Sequence, residues 1–258
     1  MIDFSNKNRI VIKVGTSNIA YETGNINIRR VESLVRIISD IRNSGKEVIL
    51  VTSGAISVGV GRMNLPARPA ETPAKQACAA IGQSALMNIY ADEFSKYNRA
   101  VAQILMTRDV VSNRERRENA RNTLERLLEM GVIPIINAND TISIEELDFD
   151  ENDTLSAIVA ELSDADLLIM FTDVDGLYAN FPPSPGDKPI PVVEKITDEM
   201  ISSAKGKGSE LSSGGMLAKL EAASIAMKNQ IPAVILNGDR LEILYDLLEN
   251  KAVCTVFV

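Results

Sequence analysis

The sequence predicts an α/β protein, a three-layer αβα sandwich around a mostly parallel central sheet. Three observations carry that expectation. Short β-branched runs alternate with helical stretches along the chain, and strands separated by helices pair in parallel under helices on both faces. No Gly/Ser-rich linker or break in composition divides the chain, so residues 1–258 are expected to form one domain. The strand-like runs end in small polar turns, which is where open sheets of this class bind their ligands.

The elements follow in order. Residues 9–14 (RIVIKV) form a β-branched run ending at Gly15-Thr16-Ser17. Apolar residues at 31, 34, 35, 37, 38 and 41 give Ile28–Asn43 a helical period, and Gly45 stops it. Residues 48–51 are a second strand, followed by Thr52-Ser53-Gly54-Ala55. Thr72-Pro73 opens an Ala-rich helix, with proline suited to a first helical turn. A third strand is expected at 100–106, an Arg/Glu-rich helix at 114–130 closed by Gly131, and a fourth strand at 132–136. From Asn137 the chain is polar until a helix at 155–162, then a strand at 166–171 ending at Thr172-Asp173. Residues 179–191 hold five prolines and read as an irregular exposed loop. A helix at 216–228, a strand at 233–236, a helix at 240–248 and a strand at 254–258 complete the chain.

Composition narrows the chemistry. The chain is 45 % apolar and 24 % charged, with a formal net charge of −8, and its isoelectric point near 4.8 argues against coating nucleic acid or an anionic membrane. With no histidine, there is no His-based triad, His-ligated zinc site or imidazole base. The two cysteines, Cys78 and Cys254, are too few and too far apart for a zinc ribbon or disulfide framework and read as free thiols in a reducing compartment. The polar N-terminus and the lack of a ~20-residue apolar run point to a soluble, cytoplasmic protein.

The turns at strand ends hold the candidate functional residues. Gly15-Thr16-Ser17, Ser53-Gly54-Ala55, Asn137-Ala138-Asn139-Asp140 and Thr172-Asp173 each join small or hydroxyl residues to a strand end, where backbone N–H groups can face an anion. Each alone also reads as ordinary strand-to-helix punctuation. The P-loop and dinucleotide fingerprints both fail: Gly45-Lys46 is followed by Glu47, and Gly206 and Gly208 lack their third glycine. Lys13 is the odd residue of its strand and either reaches the surface or directs its ammonium into a site. Lys219 follows Gly214-Gly215 at a helix start, or lies on a solvated helix face. Two lysines with nearby acids supply what phosphoryl transfer needs. Asn-Asp-Thr occurs at 139–141 and at 152–154, either as Asx turns and helix caps or as a polar wall for a small charged substrate. Arg114, Arg116, Arg117, Arg121 and Arg126, interleaved with Glu115, Glu118 and Glu125, read as a solvated or subunit-contact helix face.

The segments IVIKVGTSNI, VTSGAISVGVGRM, KQACAAIGQSALMNIY, QILMTRDV, VIPIINANDTIS, ENDTLSAIVA, LLIMFTDVDGLY and SSGGMLAK, in that order, closely resemble the glutamate 5-kinase branch of the amino acid kinase superfamily, from about residue 9 to 238. The resemblance implies the amino acid kinase fold and ATP-dependent phosphorylation of the γ-carboxylate of L-glutamate, with Mg2+, for proline synthesis. It implies that Lys13 and Lys219 neutralise the transferring phosphoryl group while Asp153 holds their ammoniums apart. Gly15, Gly54 and Gly215 would offer backbone N–H groups to phosphate or acyl-phosphate oxygens. Ser53, Asp140 and Asn152 match the family's glutamate contacts, with Asn137 nearby. Thr172, Asp173 and the run Ser213, Gly214, Gly215, Met216, Leu217, Ala218 and Lys219 match its ATP-binding segments. An N-terminal substrate half, a C-terminal nucleotide half, inhibition by L-proline, and a homo-oligomer (dimer or tetramer) are further implications. Many relatives carry an additional C-terminal domain, whereas this sequence stops just after the kinase region. The acidic run 148–151 replaces the basic residue and glycine that relatives often carry there. A sister kinase with another acceptor would share the ATP half; a non-catalytic sensor on the same fold would lack reason to keep both lysines and Asp153.

Overall fold

The computed structural model describes residues 2–107, 109–142, 152–180, 183–184, 186–204 and 213–258, without the side chains of 111, 213 and 214. The proline-rich loop and the acidic run at 148–151 therefore lie partly or wholly outside the described residues. The chain forms two compact units, Val14–Asn152 and Met1–Lys13 with Asp153–Val258. It passes between them at Lys13–Val14 and at Asn152–Asp153, both beside expected site residues.

In the Val14–Asn152 unit, β2 (Glu47–Val51) and β3 (Val101–Met106) both pair in parallel with β4 (Ile133–Ala138). Every residue of β4 is buried, so the Asn137 side chain and the backbone N–H of Ala138, at its end, are carried into the interior. This strand runs two residues beyond the expected end because its last rungs pair with Leu105 and Met106 despite the polar sequence. Helix α2 (Ile28–Asn43) buries the periodic residues Val31, Leu34, Val35, Ile37, Ile38 and Ile41, and the Asn27 side chain accepts from the Arg30 N–H at its start. Helix α6 (Arg114–Glu129) buries only Leu124 and Leu128, so its arginines form a solvated face.

Helices α3 (Ala55–Arg62) and α4 (Thr72–Ser95) cross at glycine. A Cβ on Gly59 would stand 1.9 Å from the Cys78 carbonyl oxygen, and one on Gly82 would stand 1.8 Å from that of Ala55. Gly59 and Gly61 weaken the helical signal of α3 in the sequence, yet Gly59 lets the backbones of α3 and α4 touch and Gly61 does the same against Gly24.

In the other unit, β1 (Arg9–Lys13) pairs in parallel with β5 (Leu167–Thr172), and β5 with β7 (Ala233–Asn237). Strand β8 (Thr255–Phe257) runs antiparallel to β7 and parallel to the two-residue β6 (Val192–Val193). Helices α7 (Asn152–Leu162), which lies in this unit from Asp153 on, α8 (Asp198–Ala204), α9 (Ser213–Lys228) and α10 (Ile243–Leu248) complete it. Helix α7 begins three residues before its apolar period does, which places Asn152 and Asp153 in its first turn. An acid there is favoured by the N-terminal end of the helix dipole. Cys78 is buried and Cys254 half-buried, both free. Burial pushes the Cys254 thiol up to about 11. Among the described residues, no helix is long and apolar enough to cross a membrane.

Candidate active site

Lys13 ends β1, beside Met170 of β5, and its side chain is buried. An ammonium cannot stay in such a place without a counter-charge. Asp153 supplies it: the Lys13 Nζ lies 2.9 Å from Asp153 Oδ1. Lys219, two turns into α9, reaches the other oxygen, its Nζ donating to Asp153 Oδ2 at 3.1 Å. Helical side chains lean toward the N-terminus, and the Lys219 Nζ accordingly also meets the Gly215 carbonyl oxygen at 3.3 Å. All three charged groups are buried, Asp153 completely.

The electrostatics are those of an anion site. Burial drives the Asp153 carboxyl upward, but the ammoniums of Lys13 and Lys219 outweigh it and hold the carboxyl below its ordinary value. Asp153 is therefore ionised at neutral pH, and the trio carries two positive charges against one negative. A buried net positive charge has its strongest interaction with an anion that brings further negative charge during a reaction.

The carboxyl edges of β5 and β7 add polar groups in the same unit. Thr172 Oγ1 donates to Asp173 Oδ1 at 3.1 Å. In the next strand Asn237, in register with Thr172, donates through Nδ2 to Asp175 Oδ1 at 3.0 Å and accepts from the Asp239 N–H at 2.8 Å. Sequence reading missed Asn237 and Asp175; the polar Asn237-Gly238-Asp239 after an apolar strand was the available signal. The backbone of Ser213, Gly214 and Gly215 opens α9, followed by buried Met216 and half-buried Leu217 and Ala218.

The Val14–Asn152 unit holds a second polar group. Asn152 Nδ2 donates to Ser53 Oγ at 3.0 Å, while its Oδ1 accepts from the Ala138 N–H at 3.3 Å. That N–H also bonds Asn137 Oδ1 at 2.9 Å, and Asn137 Nδ2 donates to Gln83 Oε1 at 2.8 Å. Ser53, Asn137 and Asn152 are thus brought together, with Gln83, which sequence reasoning gave no role. Gly54 begins α3 at φ +93°, and a Cβ there would press on Ile19 at 2.9 Å; both facts favour glycine. Asp140 follows β4 and lines a cavity of about 390 Å³ together with Ala55, Gln83, Ala138, Asn139 and Thr141. The Gly15 N–H, at the start of α1 (Thr16–Ile19), is taken up by Asn18 Oδ1 at 3.3 Å.

A profile of the amino acid kinase family matches residues 8–237. The chain belongs to the amino acid kinase family. A glutamate 5-kinase of Listeria innocua is 48 % identical over 98 % of this chain and 93 % of its own length. One from Clostridium perfringens is 49 % identical, over 97 % of this chain and 95 % of its own. Among solved structures, a carbamate kinase from Giardia lamblia bound to AMP-PNP superposes with a TM-score of 0.67 at 18 % identity, covering 98 % of this chain and 99 % of that one. A UMP kinase from Ureaplasma parvum gives 0.63 at 17 % identity, with coverage of 98 % and 99 %. The α/β fold with a mostly parallel sheet, expected from the sequence, is the fold shared with these kinases.

Proposed function

We propose that this chain transfers the γ-phosphoryl group of ATP to the γ-carboxylate of L-glutamate, giving L-glutamyl 5-phosphate and ADP, the first step of proline biosynthesis. The observation that carries the reading is the buried Lys13–Asp153–Lys219 trio, together with relatives named glutamate 5-kinase that match over almost their whole length.

The chemistry asks little covalent work of the protein. A glutamate carboxylate is already ionised at neutral pH, so its oxygen can attack the γ-phosphorus without a general base or protein nucleophile. As that O–P bond forms, the bond to the β-phosphate bridging oxygen breaks and its electron pair leaves on ADP. Negative charge on the transferring group is the chief obstacle, and Lys13 and Lys219 meet it with fixed ammoniums. Asp153 positions both lysines: each oxygen holds one ammonium, so the pair stays near the reaction without collapsing onto a single anion.

Glutamate recognition falls to the Val14–Asn152 unit and the nucleotide to the other, in which Lys13 also belongs. Asp140 takes the α-ammonium. Ser53 and Asn152 supply neutral donors for carboxylate oxygens, with Asn137 nearby and backbone N–H groups near Gly54 beside them. Thr172, Asp173 and residues 213–219 hold the nucleotide, and Gly15 lies at the turn after Lys13. Mg2+ neutralises phosphate charge when bound. The same reading makes the protein a cytoplasmic homo-oligomer, dimer or tetramer, and makes L-proline a feedback inhibitor at or beside the glutamate site.

The deciding experiment is ADP release from Mg-ATP against L-glutamate, aspartate, acetylglutamate, carbamate and UMP, with hydroxylamine to trap an acyl phosphate. Glutamate-dependent turnover with hydroxamate formation supports the reading. Preference for another acceptor, or nucleotide binding with no turnover, overturns it.

A further inference from the structure

The polar relay beside β4 fixes the orientation of an amide for which the phosphoryl transfer above has no use. A backbone N–H can only donate, so the Asn137 atom bonded to the Ala138 N–H at 2.9 Å must be the oxygen. The other end of that amide is then the NH2 group, and it donates to Gln83 at 2.8 Å. Hence the Gln83 atom facing Asn137 is Oε1, and Nε2 points elsewhere. Gln83 is only 8 % exposed, and its Nε2 is fully buried with no hydrogen-bond partner among the described residues. A buried amide without a partner costs free energy, so a donor held this firmly invites an acceptor. Gln83 lines the cavity of about 390 Å³ that Asp140 also lines.

We infer that Gln83 is a specificity-determining residue whose Nε2–H donates to the α-carboxylate of the acceptor amino acid, while Asp140 meets its α-ammonium. This rests on the proposed acceptor site. An α-amino acid presents adjacent opposite charges, and one acid plus one neutral donor matches them without adding net charge to the cavity. Asn137 then acts through Gln83: it fixes which end of that amide faces the substrate.

A purely structural role for Gln83 would be to give Asn137 an acceptor. Gln83→Glu keeps that acceptor at nearly the same shape and replaces the donor with a carboxylate oxygen, so it separates the two roles. The KM values for glutamate and ATP, kcat and the melting temperature are measured for wild type, Gln83→Glu and Gln83→Met. Both variants should raise the glutamate KM tenfold or more while the ATP KM stays within twofold. A folded Gln83→Glu with a glutamate KM within twofold of wild type overturns the inference. Should Gln83→Glu fail to fold, Gln83→Met decides by the same KM criterion. Wild-type protein that releases no ADP with glutamate overturns the underlying functional reading and this inference with it; active wild type with unmoved variants overturns this inference alone.

Discussion

Replacing Asp153 by asparagine tests the centre of the site. The side chain keeps its shape but loses its charge, leaving two ammoniums that were 2.9 and 3.1 Å from a carboxylate facing a neutral amide. All three groups are buried, so water cannot screen the loss. Removing one partner of a buried ionic group costs about 3–5 kcal/mol. For a domain of this size each kcal/mol moves the melting temperature by roughly 2–4 °C, so Asp153→Asn should melt about 6–20 °C lower. The dependence on pH has a definite sign. The Asp153 carboxyl is held below its ordinary value by Lys13 and Lys219 against the opposing effect of burial. Its stabilisation is therefore fully present above the unfolded-state value of about 3.9 and is lost as pH falls through the lower folded-state value. Melting curves of wild type and variant, recorded in steps from pH 7 to pH 3, should show a gap that is widest above about pH 5 and narrows on acidification. Turnover, measured well below the variant's melting temperature, should fall by about 10²-fold or more, since both lysines lose the group that positions them. A variant that melts like wild type at pH 7, or a gap that widens in acid, would refute the electrostatic account.

Lys13→Ala and Lys219→Ala each remove one charge facing the transferring group and should lower kcat by about 10²-fold or more, a loss of ~3 kcal/mol; near-normal steady-state turnover in either folded variant sinks the assignment. Asn152→Ala deletes the donor to Ser53 Oγ, and Asp140→Ala the acid of the cavity; each should raise the glutamate KM about tenfold with little change for ATP. Equal rises in both KM values alongside a lower melting temperature would make these residues architecture only. Gly82→Ala should destabilise by about 1–3 kcal/mol or more in urea titration, because its Cβ would meet the Ala55 carbonyl oxygen at 1.8 Å. Gly45→Ala is the control: at φ +92° with open space around it, it should cost only about 1 kcal/mol of backbone strain. The reverse order of the two glycine variants would contradict the packing of α3 on α4.

The elements that could be read from the sequence are those whose local chemistry agrees with their tertiary role. Helix α2 has its cap at Asn27, an apolar period and a stop at Gly45, and its expected bounds match those observed. Helix α3 carries two glycines that only tertiary contacts explain, Gly59 against Cys78 of α4 and Gly61 against the Gly24–Asn25 backbone, so nothing local announced it. Strand β4 ends in residues that resemble a turn, although its pairing with β3 extends through Asn137 and Ala138. At the site, the turns at strand ends were legible because small polar residues interrupt apolar runs. The convergence of Lys13 and Lys219 on one carboxylate was not, since no local pattern links residues so distant in the chain; the expected roles came from family resemblance. Gln83 escaped notice because glutamine is ordinary in a helix, and only the accounting of donors around Asn137 exposes its unused N–H.

The two Asn-Asp-Thr runs show how far a local explanation reaches. In the first, Thr141 Oγ1 donates to Asn139 Oδ1 and the Ile142 N–H bonds the Asn139 carbonyl oxygen, which is the turn that such a sequence forms by itself. In the second, the run opens α7, and a cap would have been explanation enough. The side chains do otherwise. Asn152 bonds the Ala138 N–H and Ser53, and Asp153 bonds Lys13 and Lys219; among the described residues, neither side chain serves its own helix. Within one unit Asn152 thus closes the polar group around Ser53 and the Ala138 N–H, and within the other Asp153 holds Lys13 and Lys219.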